Sequence, residues 1–165
     1  MKYRVPNGEA MRALGQALAA VFTEGDLVIL SGGLGAGKTT LVQGIGAGLE
    51  VRGQVASPTF IISRVHEPTA AGPALVHVDA YRLGSLQELD HLDLDASADE
   101  AVTVVEWGEG KAEALAEGHA LITIERPRGE LVEGEDPAAG DRTVTISTTG
   151  GAWADRAWPA EGWTA

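Results

Sequence analysis

Hydrophobic and polar positions recur along this chain with two different periods. Leu14, Ala17, Leu18 and Val21 fall at helical spacing and Asn7 stands where a side-chain cap belongs, so a helix is predicted over residues 8–22. Leu-Val-Ile-Leu at 27–30 is a short continuous apolar run and reads as a buried strand. It leads into the glycine-rich stretch Ser31–Gly37, after which Lys38–Leu49 reads as a helix despite its glycines. The order is strand, glycine loop, helix.

Beyond Pro58, Thr59–Val65 and Ala74–Asp79 are both strand-like. The eight residues between them include Pro68, Gly72 and Pro73, too few for a crossover helix, so an antiparallel hairpin is predicted. Ser85 with Glu88 has capping-box spacing and starts a short helix carrying Leu86 and Leu89. Ala101–Glu106 is the next buried strand, with a helix expected around 109–117. Leu121–Glu125 and Thr143–Ser147 alternate as half-buried strands and fit a pair at a sheet edge. The segment between them, Arg126–Asp141, is rich in proline, glycine and acid and reads as a mobile loop. Residues 150–165 hold three of the four tryptophans with no clear period, and both surface docking and a loose tail fit that composition. One domain over 1–149 with a tail over 150–165 is therefore expected.

Composition narrows the function classes. A chain of 165 residues, 44% hydrophobic and 22% charged, suits one globular domain with its own core. Twelve Lys and Arg against 24 Asp and Glu leave a net charge of −12, which repels phosphate backbones over most of the surface. Autonomous binding of nucleic acid or an anionic membrane is thus disfavoured, and any phosphate must meet local, oriented groups. With no cysteine there is no disulfide framework, thiolate nucleophile or thiolate metal cluster. Glu9 and Arg12 interrupt the first apolar stretch, and no run approaches the roughly 18 apolar residues of a membrane span, so a cytoplasmic protein is expected.

Gly32-Gly33-Leu34-Gly35-Ala36-Gly37-Lys38-Thr39 satisfies G-x-x-x-x-G-K-[ST], between a strand and a helix as that motif's mechanism requires. Glycines let successive backbone N–H groups converge on phosphate oxygens, and the helix N-terminus adds partial positive charge. Residues 33–40, through Thr40, form the candidate phosphate cradle; Lys38 would reach the β- and γ-phosphates and Thr39 would place its hydroxyl on Mg²⁺. Such a loop needs an acid at the end of a neighbouring strand, and Asp79 and Glu106 both stand at such ends; spacing alone does not rank them. Ser57-Pro58-Thr59 is a strand start whose threonine could also sense a γ-phosphate. His66, His77, His91 and His119 share no metal-ligand spacing, and His77 reads as a hydrogen-bonded core or edge residue.

The glycine loop with Leu-Val-Gln-Gly at 41–44, Ser-Pro-Thr-Phe at 57–60, His-Val-Asp-Ala-Tyr-Arg-Leu at 77–83, Glu-Leu at 88–89 and Val-Val-Glu-Trp at 104–107 together resemble the bacterial tRNA threonylcarbamoyladenosine biosynthesis ATPase family, TsaE, formerly YjeE. The resemblance covers roughly residues 7–148. It implies an α/β fold, a single P-loop NTPase domain with a mixed parallel/antiparallel sheet flanked by helices. It also implies slow ATP hydrolysis in support of the TsaB–TsaD complex, which transfers threonylcarbamoyl to adenosine 37 of ANN-decoding tRNAs; tRNA would be met only through that complex. ATP or ADP with Mg²⁺ are the implied ligands, and a monomer or weak oligomer is expected.

Carried over residue by residue, Lys38 and Thr39 match the P-loop lysine and Mg²⁺ ligand, Glu106 the acid assigned to Mg²⁺, and Asp79 the acid of the D-x-Y-R-L segment. Thr59 matches the switch-like threonine, Trp107 the tryptophan after the acid, and Arg142 the late arginine near the nucleotide. Three departures stand out: Gly33 where the family usually has aspartate, Ala80 for the usual leucine, and Met11 where threonine is common. Two rivals share the phosphate loop. A small-molecule or nucleotide kinase would need an arginine-rich lid, and Arg126, Arg128 and Arg142 are the only late arginines around a plausible loop, with acids about them. A non-hydrolysing nucleotide switch would need only binding.

Overall fold

The computed structural model describes residues 1–57, 63–81, 99–126, 139–150 and 153–160. Thr59, the Ser85/Glu88 capping box, Arg128 and His91 lie outside the described residues.

Seven strands form one sheet in the order β1-β7-β6-β2-β5-β4-β3. They are β1 (Lys2–Asn7), β2 (Leu27–Gly32), β3 (Ser63–His66), β4 (Ala74–Asp79), β5 (Ala101–Glu106), β6 (His119–Glu125) and β7 (Ala139–Thr149). The centre β6-β2-β5-β4 is parallel, and β1, β7 and β3 are added antiparallel. The mixed sheet and the β3–β4 hairpin agree with expectation. The parallel core aligns the C-terminal ends of four strands along one edge, where open α/β sheets bind ligands.

Two helices, α1 (Gly8–Ala19) and α2 (Lys38–Gly48), pack on one face. Asn7 caps α1, its side-chain oxygen accepting from Ala10 N at 2.8 Å. Alternating strand residues Val28, Leu30, Val102, Val104, Ile122 and Ile124 meet the buried helix residues Leu14, Leu18, Leu41 and Ile45 in the larger core. Leu27, Ile29, Val76, Val78 and Val105 point to the opposite face, where Ala112 packs against them. The glycines of α2 permit a close crossing: a Cβ on Gly44 would lie 2.2 Å from Arg12 O, and one on Gly15 of α1 would lie 2.4 Å from Leu41 O. Glycine lowers helix propensity, but here it lets the two backbones touch.

Three expectations need correction. The helix around 109–117 is only a 3₁₀ turn, Glu113–Leu115. Gly110, at φ 76°, and Gly118 bracket too few residues to repay helix nucleation. The pair β6–β7 is not the sheet edge, because β1 covers β7; its inward residues Tyr3 and Val5 alternate with exposed neighbours. Strand β7 begins at Ala139, inside the segment read as a loop to Asp141.

Residues 153–160 dock. Trp153 is buried edge-on against Phe22, and Trp158 stacks on Trp153. Arg156 lies 4.0 Å over the Trp153 ring and pairs with Asp26, and Tyr3 Oη donates to Pro159 O at 2.8 Å. Asp26 immediately precedes β2, whereas the glycine loop follows it, so this clasp sits about 20 Å from the loop at ~3.3 Å per strand residue. No helix among the described residues is long and apolar enough to cross a membrane.

Candidate functional site

The glycine loop turns out of β2 into α2 at the C-terminal edge of the parallel strands. Gly37, the N-cap of α2, has φ 110°, a left-handed conformation that side chains rarely adopt. It contributes no side-chain cap, and the first-turn N–H donors of Lys38, Thr39 and Thr40, like those of any helix start, have no preceding turn to bond. Gly33, Leu34 and Gly35 are exposed at the loop's outer tip while Ala36 is buried beneath it. Arg142 on β7 props the loop from below, its Nε donating to Ala36 O at 2.9 Å. The arginine thus contacts the loop's backbone.

Lys38 curls back over this loop. Its Nζ donates to Gly32 O at 2.7 Å and Gly33 O at 2.9 Å, and sits 3.8 Å from the centroid of Trp107. Burial pushes the Lys38 ammonium below the ordinary lysine range, against the opposing pull of the Glu106 and Asp79 carboxylates. Trp107 follows β5 in left-handed backbone at φ 61°, which costs a non-glycine residue about 1–3 kcal/mol. Its N–H donates to Leu30 O at 3.0 Å, and its ring is covered by Tyr81 at 5.0 Å. The strained turn delivers the indole to the lysine.

The two acids stand side by side. Asp79 and Glu106 are register partners at the ends of parallel β4 and β5. Glu106, nearly buried, receives Thr39 Oγ1 at 3.0 Å and lies 2.8 Å from His77 Nε2. Asp79 is half-buried, and its Oδ1 accepts Tyr81 N at 2.9 Å. Spacing did not rank these acids; geometry puts Glu106 on the helix threonine and Asp79 one strand further out. A threonine hydroxyl that donates its proton to a carboxylate keeps its lone pairs, so Thr39 and Glu106 are a donor set suited to a hard cation. Among the described residues no group of three or more His, Asp or Glu could hold a metal ion by itself.

The reading of His77 as a hydrogen-bonded core or edge residue agrees with the structure, but its spacing does not reveal that the partner is Glu106; the available signal is its place two residues before Asp79, on the same strand face. Tyr81, which lies against Trp107, is not singled out by the sequence reading. Beside the loop an open pocket of about 420 Å³ is lined by Gly32, Leu34, Thr123, Glu125 and Arg126 among others.

With this geometry in view, the comparisons are decisive. The family model described as threonylcarbamoyl adenosine biosynthesis protein TsaE matches residues 5–132. The chain belongs to the TsaE family. It is 54% identical over 145 residues to the tRNA threonylcarbamoyladenosine biosynthesis protein TsaE of Streptomyces coelicolor, covering 87% of this chain and 94% of that one. The TsaE of Mycobacterium tuberculosis is 48% identical over 129 residues, 74% of this chain and 77% of its own. The crystal structure of Bacillus subtilis YdiB superposes with a TM-score of 0.66 at 30% identity, covering 92% of this chain and 86% of that chain. The residues matched by the family model include the glycine loop at 32–39.

Proposed function

We propose that this protein binds Mg-ATP, hydrolyses it slowly, and thereby supports threonylcarbamoylation of tRNA adenosine by the TsaB–TsaD complex. The observation that carries the reading is the contact of Thr39 Oγ1 with the Glu106 carboxylate at the head of the P-loop helix, beside the buried Lys38. Membership of a family named for tRNA threonylcarbamoyladenosine biosynthesis supports the tRNA-modification role.

In this reading the first-turn N–H groups of α2 bind phosphate oxygens, and Lys38 exchanges the carbonyls of Gly32 and Gly33 for the β- and γ-phosphates. Thr39 and Glu106 hold the cation, which when bound supplies charge neutralisation for the transferring phosphoryl group. Asp79, one strand away, orders the outer shell or the attacking water. Water attacks the γ-phosphorus and the bond to the β–γ bridging oxygen breaks, leaving ADP and phosphate. Arg142 donates to Ala36 O and Gly140 O beneath the loop, and in this reading unassisted turnover is slow and a partner sets the rate. Asp79, Glu106 and Lys38 are thus the reacting-site side chains, with Trp107 walling the lysine.

The test is phosphate release from Mg-ATP by the purified protein, alone and with TsaB–TsaD and tRNA. Slow release, raised by the complex and lost in Lys38→Ala, is expected; Glu106→Ala should retain ATP but not turn it over. Binding without release in either condition would replace this reading with a nucleotide switch, and transfer to a small acceptor would replace it with a kinase.

A further inference from the structure

One fully buried side chain outside the P-loop motif touches the site. His77 Nε2 is 2.8 Å from Glu106 Oε1, and its other ring nitrogen, equally buried, has no hydrogen-bond partner among the described residues. Among the described residues the histidine's polar contact is therefore the carboxylate. That same oxygen accepts Thr39 Oγ1 at 3.0 Å, while Oε2 is 3.3 Å from the hydroxyl. His77 comes from β4, beside β5 and opposite Val104, so it fixes the end of a glutamate side chain that otherwise has three free torsions.

The alternative resting place for that carboxylate is Lys38. The lysine is buried and is the chain neighbour of Thr39, which holds Glu106, yet its ammonium bonds the carbonyls of Gly32 and Gly33. In surroundings of low dielectric, a carboxylate and an ammonium at one site attract each other strongly unless other hydrogen-bond partners hold them apart. A paired Lys38 and Glu106 would cancel the positive charge meant for phosphate and the negative charge meant for a cation.

We propose that His77 is a positioning residue that holds the Glu106 carboxylate on Thr39 and off Lys38, which keeps both charges available to the nucleotide and its metal. The proposal rests on the Mg-ATP reading for its consequence, though not for its geometry. Four proteins test it: wild type, His77→Leu, Glu106→Gln and the double variant, with ATP affinity measured in EDTA and the Mg²⁺ requirement measured for turnover. His77→Leu should weaken metal-free ATP binding about tenfold and raise the Mg²⁺ requirement about 10–100-fold, the usual effect of losing a partner of a metal ligand. In the Glu106→Gln background, which has no charge to collapse onto Lys38, the same change should alter ATP affinity by less than about twofold. His77→Gln, whose amide can donate where Nε2 does, should stay near wild type.

Unchanged binding and Mg²⁺ requirement in a folded His77→Leu protein would overturn the proposal, and so would equal losses in both backgrounds, which mark a purely structural role. A ligand-free crystal structure of the variants decides independently of any activity. Glu106 should turn onto Lys38 in His77→Leu and remain on Thr39 in His77→Gln; a carboxylate still on Thr39 in His77→Leu would also overturn it. Wild type that binds no ATP would refute the function instead, and leave this structural comparison to judge His77.

Discussion

Gly44→Ala should destabilise this protein although it replaces glycine with the best helix former. On propensity alone the change favours the helix by about 1 kcal/mol. The new Cβ, however, would stand 2.2 Å from Arg12 O and 2.9 Å from the Arg12 Cα, all backbone of α1 that cannot rotate aside. Restoring an ordinary 3.4 Å contact moves the helices apart by up to about 1.2 Å. A gap of that size forfeits roughly a quarter to a half of each dispersion contact along the seam of Leu14, Leu18, Leu41 and Ile45. Overpacking of this kind costs about 1–3 kcal/mol, and two short backbone contacts place it at the upper end. The net expectation is a loss of about 2 kcal/mol, or a Tm lowered by about 4–8 °C for a chain of this length. The same displacement carries Thr39 away from Glu106, so ATP binding should weaken in parallel. Urea titration followed by circular dichroism measures the first effect, with Gly33→Ala as control because nothing lies within 4 Å of its Cβ. A Gly44→Ala protein as stable as wild type would refute the claim that backbone contact, and not chance composition, put glycine in α2.

Three further outcomes are expected. Lys38→Met should raise the Tm of the ligand-free protein by about 1–3 °C, less than about 1 kcal/mol because the ammonium's bonds to Gly32 O and Gly33 O and its contact with Trp107 offset most of the burial cost, while removing phosphate binding. Because burial lowers the folded pKa beneath the unfolded 10.5, the unfolded chain holds more protons between those values. Wild-type stability therefore gains as pH rises through that window, and the variant's advantage, read by thermal melts from pH 7 upward, should shrink; a lower Tm for Lys38→Met at neutral pH contradicts this. Trp153→Ala should cost about 3–5 kcal/mol in denaturant, as for other buried aromatics, yet leave the ATP affinity of the still-folded protein unaltered because the clasp is at the far end of β2. Gly33→Asp, which restores the family's usual residue at an exposed and uncrowded position, should change stability by less than about 0.5 kcal/mol; a larger shift in the melting curve would mean the loop is built around its absence.

Much of this molecule was legible in its residues because local chemistry decided it. The order strand, glycine loop, helix follows from Leu27–Leu30, the glycines and Lys38, since a phosphate loop needs that local order whatever surrounds it. Asn7 announced α1 by capping, and the eight residues between the strand-like runs left room only for the β3–β4 hairpin. Other features depended on contacts between distant segments. The 111–117 stretch has helix formers, but its flanking glycines and its docking on the sheet leave one 3₁₀ turn. Strand β1 was hidden because a six-residue edge strand gains its stability from β7, some 140 positions later, and not from its own propensity. The ranking of the acids was likewise tertiary. Asp79 and Glu106 end similar apolar strands, and only the sheet order, with β5 next to β2, brings Glu106 and not Asp79 to Thr39, with His77 beside it. Sequence by itself determined which chemical groups this protein carries at its glycine loop, because spacing along one chain segment sets them. Tertiary structure decided which acid faces them and what holds that acid in place, because those distances are set across strands that sequence separation does not measure.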